Sequence, residues 1–219
     1  DTPALEYAEI LTGKYGTEGD KLLYQFQDHG QRDVALRDDL TVPLARVVAQ
    51  HQSNLPSPFR RYQIAPVWRA DKPQRGRFRE FLQCDADITG SDTAYADVAI
   101  LAVGLSVLKA LSIGDFTLHL NHRELLSDLL AVANIPEPNH LTVIRIIDKL
   151  DKIGLSGVKE ELYRNLPESR AQVDRLIELF NVKSLSNSER LAYFKEQCGL
   201  TVAIERLELI LRLLGAAGF

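Results

Sequence analysis

Residues 60–90 read RRYQIAPVWRADKPQRGRFREFLQCDADITG, and they gather side chains able to hold a polyphosphate. Arg69 and Arg77 are planar, permanently charged forks, the side chains best matched to phosphate oxygens. Phe81 offers a ring to a flat base, and Asp85 and Asp87 place two carboxylates a few residues further on. Seven of the chain's 26 Lys and Arg residues fall within residues 60–79, although the formal net charge is −4. Such local concentration in an acidic chain points to an anion site more than to a solvated sheet edge.

These residues need a scaffold that aims them. In residues 62–69, Tyr62, Ile64, Pro66 and Trp68 alternate with Gln63, Ala65, Val67 and Arg69, which is the period of a strand. Pro73 and Gly76 then interrupt residues 71–76 and predict a basic loop. A second strand follows over residues 77–87. Its odd positions are Arg77, Arg79, Phe81, Gln83, Asp85 and Asp87; its even positions, including Phe78, Leu82, Cys84 and Ala86, form a mainly apolar face. That apolar parity predicts a core position for Cys84. A hairpin of this form puts Arg69 near the end of one strand and Arg77 near the start of the next, so both can reach one ligand.

The run Trp68-Arg69-Ala70-Asp71, a basic loop, and Arg77-Phe78-Arg79-Glu80-Phe81 resemble motif 2 of class II aminoacyl-tRNA synthetases. The continuation over residues 72–90 resembles histidyl-tRNA synthetase in particular. This resemblance implies an α+β fold, a mainly antiparallel sheet flanked by helices, with a small all-α insertion. It also implies activation of histidine with ATP to histidyl-adenylate, transfer to tRNA(His), and Mg2+ held largely by phosphate oxygens. Arg69 would stabilise the α-phosphate, Arg77 and Arg206 the remaining phosphates or the nucleotide, and Phe81 would stack on adenine, with Asp71 in the same ATP set. Asp39 and Thr41, within Leu36-Arg37-Asp38-Asp39-Leu40-Thr41, would join Gln83 and Asp87 around histidine. Without the resemblance, Asp38 and Asp39 read as complements to the dipole of a helix beginning near Thr41. Glu205-Arg206-Leu207 resembles motif 3, although Ala203 and Ile204 stand where glycine is common. Thr2-Pro3-Ala4-Leu5-Glu6 resembles the dimer-interface motif 1 and implies a homodimer.

Composition sets outer bounds. Apolar residues are 45% and charged residues 26%, ordinary for a globular chain, and no apolar run approaches the roughly 18 residues needed to span a bilayer. The first residues lack the basic-then-apolar layout of a secretory signal, which predicts a cytoplasmic protein. Two cysteines and five histidines without ligand spacing predict no disulfide framework and no protein-held metal.

In chain order, residues 7–11 have helical spacing, and residues 22–26 and 34–37 predict a hairpin. A helix over residues 41–51 is expected next. A long helix capped by Ser91 or Asp92 should run to about Ser112, followed by a strand over residues 116–120 and a helix over residues 123–132. From Leu141 to about Phe180 the pattern is helical and densely charged, with breaks expected at Gly154, Gly157 and Pro167. A short strand entering a helix closes the chain from Gly199 onward. The expected organisation is a catalytic core over 1–136, a helical insertion over 137–183, and a second core segment over 184–219. In the family the insertion touches the tRNA acceptor arm. Taken singly, Lys149, Lys152 and Lys159 among Asp and Glu read as a solvated face.

Two segments of the resembled family, Arg-Gly-Leu-x-Tyr-Tyr and Gly-Gly-Arg-Tyr-Asp, have no match in the chain. They are expected between the insertion and the motif 3 resemblance, so residues 181–199 read as a place where segments are skipped. The competing function is a regulatory paralogue that senses histidine and acts on ATP phosphoribosyltransferase. Such a regulator need not keep Arg69, Arg77, Phe81 and Arg206.

Overall fold

Antiparallel pairing organises residues 1–104, one of two compact units; the other spans residues 105–219. The structure is a computed structural model that describes residues 1–13, 21–182 and 184–219; residue 183, the expected end of the helical insertion, lies outside the described residues. In the first unit β1 (Leu5–Tyr7), β2 (Tyr24–Gln27) and β3 (Asp33–Leu36) form a sheet of order β1-β3-β2. The β2–β3 turn closes on Asp28, whose Oδ1 accepts from Gly30 N at 2.8 Å and Arg32 N at 3.0 Å. Helix α1 (Ala8–Leu11) is a single turn, and α2 (Thr41–His51) follows β3.

The second sheet is the predicted hairpin. β4 (Phe59–Trp68) and β5 (Glu80–Thr89) pair antiparallel, with Gln63 opposite Asp85 and Arg61 opposite Asp87. Buried Arg37 ties the two sheets together. Its guanidinium donates to the carbonyls of Thr2 (2.6 Å), Pro3 (3.1 Å) and Pro66 (3.0 Å), and Trp68 N donates to Arg37 O at 3.0 Å. Burial pulls the Arg37 pKa down from its ordinary value, the cost of taking a cation out of water. Arg46 on α2 reaches buried Glu6 on β1 at 2.7 Å, a second tie.

The hairpin is turned the other way from its hydropathy. Tyr62 is 78% and Leu82 71% exposed, and Ile64 and Cys84 beside them are exposed too, so Cys84 is not in the core. On the opposite face Ala65 and Val67 pack with Leu40 and half-buried Phe81. That face also carries Gln63, Gln83, Asp85 and Asp87, so polar residues share the covered side. Helix α3 (Ala94–Ala110) then begins one residue past the expected caps, at Thr93, whose Oγ1 accepts from Ala96 N at 3.4 Å.

The second unit is helical among the described residues. α4 (Arg123–Val132), α5 (His140–Ile147), α6 (Leu150–Asn165), α7 (Arg170–Leu179), α8 (Asn187–Cys198) and α9 (Val202–Ala216) bury one apolar cluster that includes Leu130, Val143, Leu162, Leu176 and Ile204. Residues 116–120 form no strand, and no neighbouring strand is present among the described residues of this unit to pair with them. His122 is a helix cap: its Nδ1 accepts from Glu124 N at 3.3 Å. Within residues 181–199 lies α8, whose start is closed by a reciprocal Ser186–Glu189 capping box. The closing strand is also absent. Thr201 caps α9 instead, and Ala203 and Ile204 are fully buried, which explains why glycines would serve poorly there.

Of the three expected breaks, Gly157 is none, because α6 continues through it. Gly154 does break the helix, with φ 69° and ψ 173°. That region of backbone space is open essentially to glycine alone. Gly154→Ala is expected to lower unfolding free energy by about 1–3 kcal/mol, read as a lower urea midpoint with unchanged slope.

Candidate functional site

A cleft of about 600 Å3 opens at the base of the β4–β5 loop, lined by Leu22, Asp38, Arg69, Asp71, Arg77 and Phe81 among others. The loop folds back as a turn in which Arg77 N donates to Gln74 O at 2.9 Å, and Gly76 supplies the positive φ of 77° that the turn needs. Arg69 N donates to Arg79 O at 2.9 Å, and Ala70 N to Leu22 O at 2.8 Å, so the loop leaves the sheet from a fixed base.

Within the cleft, Arg69 Nε donates to Asp38 O at 2.9 Å, and its guanidinium carbon lies 5.2 Å from the Phe81 ring centre. This is cation–π distance, so the two side chains are already preorganised against each other. Arg77 Nη1 is 3.6 Å from Asp71 Oδ1; with Arg77 more than half exposed, this pair holds the arginine only loosely. Four residues expected to handle ATP from their sequence pattern, Arg69, Asp71, Arg77 and Phe81, therefore share one cleft.

Of the residues expected around histidine, Gln83 and Asp87 lie on β5 of the hairpin, and Asp39 and Thr41 lie at the start of α2. Arg61 is the residue that sequence reasoning missed. Its Nε lies 2.9 Å from Asp87 Oδ2, an ion pair of two buried atoms without aligned hydrogen-bond geometry. Its Nη1 donates to Gln63 Oε1 and its Nη2 to Leu40 O, both at 2.8 Å. Arg61 thus joins the hairpin to the segment that carries Asp39 and Thr41. The signal was present as opposite charges that face each other only once the register pairs Arg61 with Asp87.

Asp39 is buried, and its Oδ1 accepts from Thr41 N at 3.1 Å and Val42 N at 3.0 Å. Its carboxylate thus meets the first two amides of α2, as the helix-dipole reading expected. Asp85 is half-buried beside these groups. Burial first, and then the negative charges of Asp87 and Asp39, push its pKa up, while Arg61 and Arg69 pull it down. The fifth expected nucleotide residue, Arg206, stands half-buried on α9 of the second unit. Among the described residues no group of three or more His, Cys, Asp and Glu side chains has a metal-binding arrangement.

The helical unit answers the expectation for its lysines. Lys149 pairs with Glu161, and Lys159 lies 2.6 Å from Asp174, so both take part in a charged surface network. No helix among the described residues is long and apolar enough to cross a membrane.

The family model for histidyl-tRNA synthetase matches residues 1–218. A histidine–tRNA ligase of Helicobacter pylori (strain HPAG1) is 42% identical over 221 residues, covering 98% of this chain and 50% of that protein. A crystal structure of histidyl-tRNA synthetase from Nostoc sp. PCC 7120 superposes with a TM-score of 0.82 at 30% identity, over 99% of this chain and 50% of that one. A protein from Bacillus halodurans, described as an ATP phosphoribosyltransferase regulatory subunit/histidyl-tRNA synthetase, superposes with a TM-score of 0.79 over 100% of this chain and 56% of that one. At 24% identity it shares the fold. The chain spans about half the length of the curated relatives it matches. A match of 221 residues to a chain of 219 leaves no room for skipped segments between residues 181 and 199, which corrects that expectation. With its α+β architecture, its arginine-bearing hairpin and a family match that runs from end to end, the chain belongs to the histidyl-tRNA synthetase family.

Proposed function

We propose that this chain takes part in ATP-dependent activation of histidine to histidyl-adenylate and its transfer to tRNA(His). The observation that carries the reading is the shared cleft of Arg69, Asp71, Arg77 and Phe81. Attack of a carboxylate on the α-phosphorus calls for positioning and neutralisation of charge more than for covalent help. Arg69 would neutralise the α-phosphate and Arg77 the phosphates beyond it, while Phe81 would stack on adenine. Magnesium would arrive on the triphosphate and neutralise its charge; Asp38 and Asp71 are the carboxylates on the cleft wall able to orient its waters. Asp39, Thr41, Gln83 and Asp87 would surround histidine. Arg206 enters the nucleotide set through the sequence resemblance alone, since a helix replaces the strand expected before it. The helical residues 137–183 are proposed as the insertion that meets tRNA. A cytoplasmic homodimer belongs to the same reading.

The regulatory alternative has the fold likeness in its favour, but retention of Arg69, Arg77 and Phe81 in one cleft favours ATP chemistry. The purified full-length protein is expected to catalyse histidine-dependent exchange of pyrophosphate into ATP without a partner. Absence of exchange, with an altered rate of an added ATP phosphoribosyltransferase, would replace this reading by the regulatory one.

A further inference from the structure

Arg37 is 3% exposed, yet among the described residues no carboxylate bonds its guanidinium. Glu6 favours its charge from a distance, but the Glu6 carboxylate is held by Arg46 at 2.7 Å. Arg37 bonds backbone instead. Its Nη1 donates to the Thr2 and Pro3 carbonyls and its Nε to the Pro66 carbonyl, with Thr2 Oγ1 a further acceptor at 3.3 Å. A buried cation is a costly way to fasten two strands, and apolar side chains of similar volume often hold a fold as well or better.

The bonds between residues 37–38 and residues 66–69 show what the fork achieves. Arg37 Nε donates to Pro66 O at 3.0 Å, Trp68 N donates to Arg37 O at 3.0 Å, and Arg69 Nε donates to Asp38 O at 2.9 Å. The end of β4 is thus bracketed immediately before the chain leaves for the loop. On its other side the same segment is anchored by Arg37 N, which donates to Ala4 O at 3.0 Å, and by the pairing of Leu36 with Leu5. The carbonyl that aims Arg69 therefore belongs to the residue directly after Arg37. Any shift of Asp38 O would draw the Arg69 guanidinium off the face of Phe81.

We infer that Arg37 is a positioning residue for the nucleotide cleft: by clamping residues 37–38 to β4 it holds Asp38 O in place, and so sets the direction in which Arg69 meets phosphate. This inference rests on the reading of the chain as a protein that activates histidine with ATP. Arg37 is buried, so its action runs through Arg69 and not through contact with ligand. A planar fork that bonds Pro66 through Nε and Thr2 and Pro3 through Nη1 fixes both distance and angle, which a single ammonium does not. Misplacing a catalytic group by about 1 Å can cost roughly 100-fold in rate.

The test is pyrophosphate exchange and ATP titration with the full-length protein, comparing wild type, Arg37→Lys, Arg69→Ala and the double variant, each with a thermal melt. Arg37→Lys is expected to lower the exchange kcat at least about tenfold and leave ATP affinity within about threefold. In the Arg69→Ala background the same change should lower kcat less than about twofold, because the group it positions is gone. The melting midpoint should fall by a similar amount in both backgrounds, which separates stability from positioning. Arg37→Gln, which has no charge to bury, is read by the same outcomes and decides the matter if the lysine variant does not fold. Equal kcat losses in both backgrounds, an Arg37→Lys kcat within about twofold of wild type, or a raised KM for histidine with kcat intact would each overturn the assignment while leaving the proposed function standing. If wild type itself gives no exchange, the proposed function falls and the assignment falls with it.

Discussion

Arg69→Ala is expected to lower histidine-dependent pyrophosphate exchange by at least about 100-fold in kcat/KM, near 3 kcal/mol of lost transition-state stabilisation. The size follows from preorganisation. Arg69 is fixed by the carbonyl of Asp38 and by the face of Phe81 before any ligand arrives, so little reorganisation is needed when charge develops on phosphate. Ground-state ATP binding should weaken less, because Arg77 and Phe81 remain in the cleft. Arg69→Lys should recover only part of the loss, since an ammonium offers neither a fork nor a flat stacking surface. A near-normal exchange rate in the alanine variant would remove Arg69 from the chemistry.

The largest effect on stability is expected at Arg61. Its side chain is only 10% exposed, and it answers Asp87, Gln63 and the Leu40 carbonyl at once. Arg61→Ala leaves a largely buried carboxylate without its cation, while Gln63 Oε1 keeps Thr2 Oγ1 and Leu40 O keeps Leu44 N, each at 3.3 Å, a change worth about 3–5 kcal/mol in comparable buried pairs. The corresponding fall in the melting midpoint of the 219-residue chain is roughly 6–20 °C. The double variant Arg61→Ala, Asp87→Ala should lose less than the sum of the two single losses, because the orphaned charge is removed along with its partner. Additive losses, or an Arg61→Ala melt that overlays wild type, would show that the pair does not hold the hairpin to the Leu40 segment.

Both residues illustrate which parts of this fold are legible in sequence. The hairpin, α2 and the helices of the second unit other than α8 follow from local periodicity, and each appears close to where its period places it. Arg69, Asp71, Arg77 and Phe81 could be gathered in advance because one hairpin tip brings all four together. Which face of that hairpin is covered was not legible. Alternation separates Leu82 and Cys84 from Gln83 and Asp85, but covering is decided by Leu40, a distant residue that packs with Ala65, Val67 and Phe81. The role of Arg61 needed the strand register, a property of two segments rather than of one. The strands expected at residues 116–120 and after Gly199 failed for a related reason. Apolar runs become strands only beside a partner, and in the second unit Thr201 and buried Ala203 and Ile204 favour a helix instead.

The end of β4 has a practical consequence for spectroscopy. Trp68 is the chain's single tryptophan, its amide is bonded to Arg37 O at 3.0 Å, and it directly precedes Arg69. Its indole emission therefore comes from one place, unmixed with that of any other tryptophan in these 219 residues. Occupation of the cleft that alters the backbone at Arg69 would be visible as a change in that emission without a label, and stopped-flow mixing could follow it in real time.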